Sequence, residues 1–100
     1  MIEQNLYKFA FTNENGTIAN VIASSKKDIS ENETFKFVAK EVTSNYCEDN
    51  HCPYDERVVT DIMDCSSVHK LGTYRPDEDY YSDEDVTIIL LSKTKHWRAR

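Results

Sequence analysis

Hydrophobic positions change rhythm along this 100-residue chain, and each rhythm predicts an element. From residue 6 to 12 the period is two, with Tyr7, Phe9 and Phe11 on one side and Leu6, Lys8 and Ala10 on the other. That alternation is the mark of a half-buried strand. Asn15-Gly16 follows, a dipeptide suited to a two-residue type I′ turn because both positions take positive φ. Thr17 to Ala23 then supply a return strand. Centring the turn on Asn15-Gly16 pairs Phe9 with Ile22 and Ala10 with Val21, giving a predicted hairpin over residues 6–23.

The period then lengthens. Ser30-Glu31-Asn32-Glu33 has the form of a capping box, in which a serine hydroxyl and a glutamate carboxylate satisfy amides at a helix start. Beyond it Phe35, Val38, Ala39, Val42 and Tyr46 make one buried stripe at helical spacing, which predicts a helix over about 31–46. After the polar connection CEDNHC, Pro53 suits a first helical turn. Val58, Val59, Ile62, Met63 and Cys65 extend the helical spacing, and Gly72 is a natural stop. A second helix is therefore expected over about 53–70. Residues 73–85, TYRPDEDYYSDED, follow neither period and read as an acidic loop. Residues 86–92 contain the most hydrophobic run, VTIILL, and read as a strand. With both faces apolar, a central position is expected. Residues 93–100 form a basic tail.

This order predicts an α+β fold, β-β-α-α-β, with a small, mostly antiparallel three-stranded sheet and two helices packed on one face. The second apolar face of strand 86–92 is left over. A second copy of the chain, as a homodimer, or the aromatic tail folding back is expected to cover it.

Composition narrows the class. At this length, with 39% hydrophobic and 30% charged residues, the chain is expected to be a single domain spanning 1–100. No apolar run approaches the roughly 20 residues a membrane helix needs. MIEQNLYKFAF carries an acid at Glu3 and no basic region ahead of an apolar one, which argues against a secretory leader. Three cysteines cannot pair completely within one chain, so a reducing, cytoplasmic setting is expected. The formal charge of −6 disfavours direct nucleic-acid binding and favours basic partners.

Three stretches carry candidate chemistry. Cys47, Cys52, Cys65 and His69 follow Cys-x4-Cys-x12-Cys-x3-His, two ligands on a loop and two on one helical face, a donor set suited to tetrahedral zinc. The spacing resembles that of a Cys2HisCys-type zinc finger, although Glu56 stands where the finger has an apolar residue and no hairpin surrounds the first pair. His51 is a substitute ligand. The resemblance implies a zinc-stabilised binding module. The acidic loop sets Asp77, Glu78, Asp79, Asp83, Glu84 and Asp85 among Tyr74, Tyr80 and Tyr81. So many adjacent carboxylates repel one another and call for solvent, cations or a basic partner, and tyrosines add contact area at an interface. The loop lacks the EF-hand spacing that would point to calcium. The tail places Lys93, Lys95, His96, Arg98 and Arg100 around Trp97, a combination that could touch phosphates, but in an acidic chain it is expected to pair with the acidic loop or lie free.

Nothing points to catalysis. The chain has two glycines, too few for a phosphate-cradling loop, and no nucleophile elbow. Cys65 and His69 have no third group to orient them as a catalytic pair. The expectation is a small acidic, non-enzymatic interaction protein, an inhibitor or modulator. Residues 74–85 would engage a basic, nucleic-acid-binding protein partner. Its type is that of phage or mobile-element accessory proteins with anti-defence roles. The alternative is the zinc-stabilised module, with no other cofactor expected.

Overall fold

The aromatic alternation at Tyr7, Phe9 and Phe11 forms the centre of an antiparallel sheet. The computed structural model describes residues 3–75 and 84–98. Within them the chain runs β1 (Gln4–Asn13), β2 (Gly16–Lys26), α1 (Glu31–Asp49), α2 (Glu56–Asp64), β3 (Ser67–Tyr74) and β4 (Val86–Lys93). The strands lie in the order β3-β1-β2-β4, every pair antiparallel. The fold is α+β, but the sheet has four strands, not three.

The β1–β2 hairpin is present with its turn one residue earlier than the sequence suggests. Asn13 pairs with Gly16, so Glu14-Asn15 makes the turn. The Asn13 side-chain carbonyl accepts from the Asn15 N–H at 2.8 Å, and Gly16 takes φ 121°. Asparagine first and glycine last is the pattern of a type I turn. An irregularity between Phe11 and Thr12 then sets Phe9 opposite Val21 and Ala10 opposite Asn20. Because strand side chains alternate, that one-residue shift decides which face is buried. Here Phe9, Phe11, Ala19, Val21 and Ala23 are fully buried together.

Helix α1 packs on this face through the expected stripe. Val38, Ala39 and Val42 are fully buried, with Phe35 and Tyr46 packed against them. The Phe35 ring lies 5.7 Å from Phe9 and 6.0 Å from Phe11. The capping box forms as read: Ser30 Oγ accepts from the Glu33 N–H at 3.1 Å, and a Glu33 carboxylate oxygen accepts from the Ser30 N–H at 3.3 Å. Helix α2 starts at Glu56, three residues after Pro53, because Asp55 caps it by accepting from the Arg57 N–H at 2.9 Å. Val59 and Ile62 complete the shared core.

The largest departure lies at residues 67–74. The stripe Val58, Ile62, Cys65, His69 suggests one continuous helix, yet α2 stops at Asp64 and the next residues become β3. Ser66 makes the switch. Its hydroxyl donates to the Ile62 carbonyl and accepts from the Thr12 N–H at 3.0 Å. That tether delivers the chain to the open edge of β1, whose unpaired backbone groups gain partners from Ser67 onward. Gly72, at φ 140°, sits beside a register shift in this pairing and is not a helix stop.

Strand β4 also differs from its expected place. It is an edge strand paired to β2, and Ile89 and Leu90 are 46% and 52% exposed. Val86, Ile88 and Leu91 pack on the core while Ile89 and Leu90 are exposed, so the strand is not buried on both faces. Among the described residues the tail leaves Leu90 exposed: Trp97 turns to the helical side and packs edge-on against Tyr46, with ring centroids 5.4 Å apart.

Candidate functional site: an acidic cleft beside a seated tail

The predicted zinc ligands are not assembled. Cys47 lies buried in α1, Cys52 is exposed just beyond it, Cys65 is an exposed cap on α2, and His69 is on β3. The helical spacing that put Cys65 and His69 on one face is lost when the chain changes to a strand. Among the described residues, no group of three or more histidine, cysteine, aspartate or glutamate side chains is placed to hold a metal ion. Cys47 and Cys52 do interact. Burial, and then the neighbouring Cys52 thiol, push the Cys47 thiol up to about 11, so it stays protonated at neutral pH.

Of the predicted partner-binding loop, Asp77, Glu78, Asp79, Tyr80, Tyr81 and Asp83 lie outside the described residues. Tyr74 ends β3 opposite Gln4. Glu84 and Asp85 lead into β4, and the Asp85 carbonyl accepts from the Lys26 N–H at 3.0 Å. Lys26 also pairs with the Asp85 carboxylate at 3.6 Å.

Sequence reading missed a cleft of about 540 Å³ between the hairpin turn, the end of α1 and one side of α2. Its polar wall is Glu14, Asp61 and Asp64, with Asn13 donating to the Tyr46 hydroxyl at 3.5 Å. Tyr46, Val58 and Ile62 supply apolar surface, and Cys65 lies at the rim. Among the described residues, no lysine, arginine or histidine lines it. The three carboxylates come from a turn and a separate helix, so linear spacing carries no trace of the grouping. The available signal is the density of acids in residues 41–64, where Glu41, Glu48, Asp49, Asp55, Glu56, Asp61 and Asp64 accompany one arginine, Arg57, and one histidine, His51.

The basic tail is occupied nearby. One Asp49 carboxylate oxygen accepts from Trp97 Nε1 at 2.7 Å and from Lys93 Nζ at 3.0 Å. Arg98 donates to the Asp49 carbonyl at 2.8 Å, and Asn50 Nδ2 donates to the Trp97 carbonyl at 3.0 Å. Lys93 Nζ also stands 5.0 Å from the Trp97 ring centre. The Trp97 hydrogen bond first, then Lys93, hold the Asp49 carboxyl below its usual range. With Trp97 only 3% exposed, the indole offers no face for a base to stack on.

No helix is long and apolar enough to cross a membrane among the described residues. Comparison of the chain with protein-family models, with curated protein sequences and with solved structures finds no match.

Proposed function

We propose that this chain is a small acidic, non-enzymatic interaction protein that binds a protein partner through a basic surface. A lysine or arginine of the partner would enter the cleft between the hairpin turn and α2. The observation that carries the reading is the composition of that cleft: Glu14, Asp61 and Asp64 beside the apolar surfaces of Tyr46, Val58 and Ile62, with no cation among its lining residues. Long basic side chains fit such a site because their aliphatic stems cover apolar surface while the charged head meets carboxylates. The formal charge of −6 supports the same choice of partner, since it favours encounter with positive surfaces. A partner whose basic surface serves nucleic-acid phosphates would be blocked by this contact, and the chain would act on it as an inhibitor or modulator.

The test is affinity capture from the source cells at low and high salt, with the wild-type chain and with a variant carrying Glu14→Gln, Asp61→Asn and Asp64→Asn. The side chains are exposed or at a rim, so the variant should fold and melt like the wild type. Each lost contact weakens binding by about 0.2–1 kcal/mol, so the three together should weaken capture by about threefold or more. Capture that survives high salt and ignores all three substitutions would sink the proposal.

A further inference from the structure

Helix α1 ends in a turn closed by two backbone hydrogen bonds. The His51 N–H donates to the Glu48 carbonyl at 3.3 Å, and the Cys52 N–H donates to the Cys47 carbonyl at 2.9 Å. Between them His51 adopts φ 56°, the sole non-glycine residue at positive φ among the described residues. Such a Schellman turn brings the side chain three positions before the cap against the one two positions after it, a contact that is ordinarily apolar. In this chain both positions are cysteine, and both thiols are free.

We propose that Cys47 and Cys52 are an oxidation site, which a low-molecular-weight disulfide of the glutathione type converts to an intramolecular disulfide across the end of α1. The geometry favours closure. A disulfide needs Cα atoms within about 4.4–6.8 Å, and the 2.9 Å bond between the backbones of these two residues holds them close. Access is also ordered. Cys52 is exposed and meets the reagent first, whereas Cys47 is 2% exposed and lies beside the Cys52 thiol. In the first step the Cys52 thiolate attacks one sulfur of the reagent, forming a mixed disulfide and expelling one small thiolate. In the second the Cys47 thiol gives its proton to water and attacks the Cys52 sulfur, expelling the other small thiolate. Two protein thiols are oxidised and one reagent disulfide is reduced to two thiols.

The ring so closed contains Asp49 and Asn50, the two residues that hold the tail at Trp97 and Arg98. Oxidation therefore stiffens the seat of the C-terminal segment. This consequence is independent of what occupies the acidic cleft.

The experiment treats a Cys65→Ser chain, which lacks the other exposed thiol, with oxidised glutathione. Alkylation and peptide mass mapping then locate the sulfurs. Hydrogen exchange is read at residues 94–98. The expected product is a monomer with a Cys47–Cys52 linkage and exchange at 94–98 slowed several-fold. Adding Cys52→Ser should leave Cys47 unmodified by the reagent. A mixed disulfide that persists on Cys52 while Cys47 stays free would overturn the proposal, as would Cys52-linked dimers as the end product.

Discussion

Replacing Trp97 by alanine asks how much of the fold depends on the seated tail. The indole is 3% exposed and belongs to the same cluster as Val42 and Phe11. A buried tryptophan removes about 150–250 Å² from water, which at about 25 cal/mol per Å² corresponds to roughly 4–6 kcal/mol. The seat lies near a chain end and can partly close over the hole, so a loss of about 3–5 kcal/mol is expected. Against a total of about 5–15 kcal/mol for a domain, that is a large share. At about 4 °C or more per kcal/mol for this size, the melting temperature should fall by at least ~12 °C. Urea unfolding followed by far-ultraviolet circular dichroism is the assay, because the substitution removes the chain's only tryptophan and its fluorescence. Trp97→Phe keeps a ring against Tyr46 but loses the donor to Asp49, and should fall between wild type and alanine. A loss under ~1 kcal/mol for alanine would refute the reasoning, since the indole could not then be packed as described.

Two further outcomes follow from the same packing. Asp49 has its carboxyl lowered in the folded state, so its contribution to stability is fully present above the ordinary carboxylate pKa. It is lost as pH falls through the lowered folded value. Acid titration should therefore red-shift Trp97 emission before global unfolding, and in Asp49→Asn that early step should vanish. Thr43 is fully buried with a hydroxyl that has no hydrogen-bond partner among the described residues. Thr43→Val keeps the shape and removes the stranded group, so urea unfolding should show a gain of about 1 kcal/mol, and a loss would mean that the hydroxyl is bonded.

Local signals in the sequence were sound where one short stretch decided the outcome. The capping box at Ser30 and the stripe from Phe35 to Tyr46 depend on neighbours within a helix, and both are present. The bases of the tail also point to an internal ion pair, and among the described residues Lys93 of that segment pairs with Asp49 of α1. Signals failed where a distant element decided. Residues 67–74 could continue a helical stripe or form a strand, and the open edge of β1, secured through Ser66 and Thr12, selects the strand. The hairpin has the expected strands in another register, because Asn15-Gly16 is a strong type I′ signal but Asn13 holds Asn15 in a different turn. The metal motif depends on the same second helix, since its Cys65–His69 spacing has meaning only if the helix continues. The acidic cleft was illegible because Glu14 and Asp64 lie fifty residues apart.

The two helices end with a common electrostatic problem, and only one end solves it internally. A helix C-terminus is negative and favours nearby cations, yet neither helix has a base in its last turn. Helix α1 makes matters worse with Glu48 and Asp49 there. The tail answers by bringing Lys93 to the Asp49 carboxylate and Arg98 to its carbonyl. Helix α2 carries Asp61 and Asp64 toward its own C-terminus, with Glu14 facing them across the cleft. Among the described residues no lysine, arginine or histidine forms an ion pair with any of these three. The end of α1 therefore displays, within the chain, the arrangement that the end of α2 lacks: a carboxylate, a helix terminus and a long basic side chain lying over an aromatic ring. An external lysine or arginine at Asp61 and Asp64, with its stem on Tyr46, would reproduce it. If so, a Lys→Met change in the partner's contact residue should weaken binding about as much as the loss of the cleft carboxylates, and combining both should cost little more, because they remove the same contact.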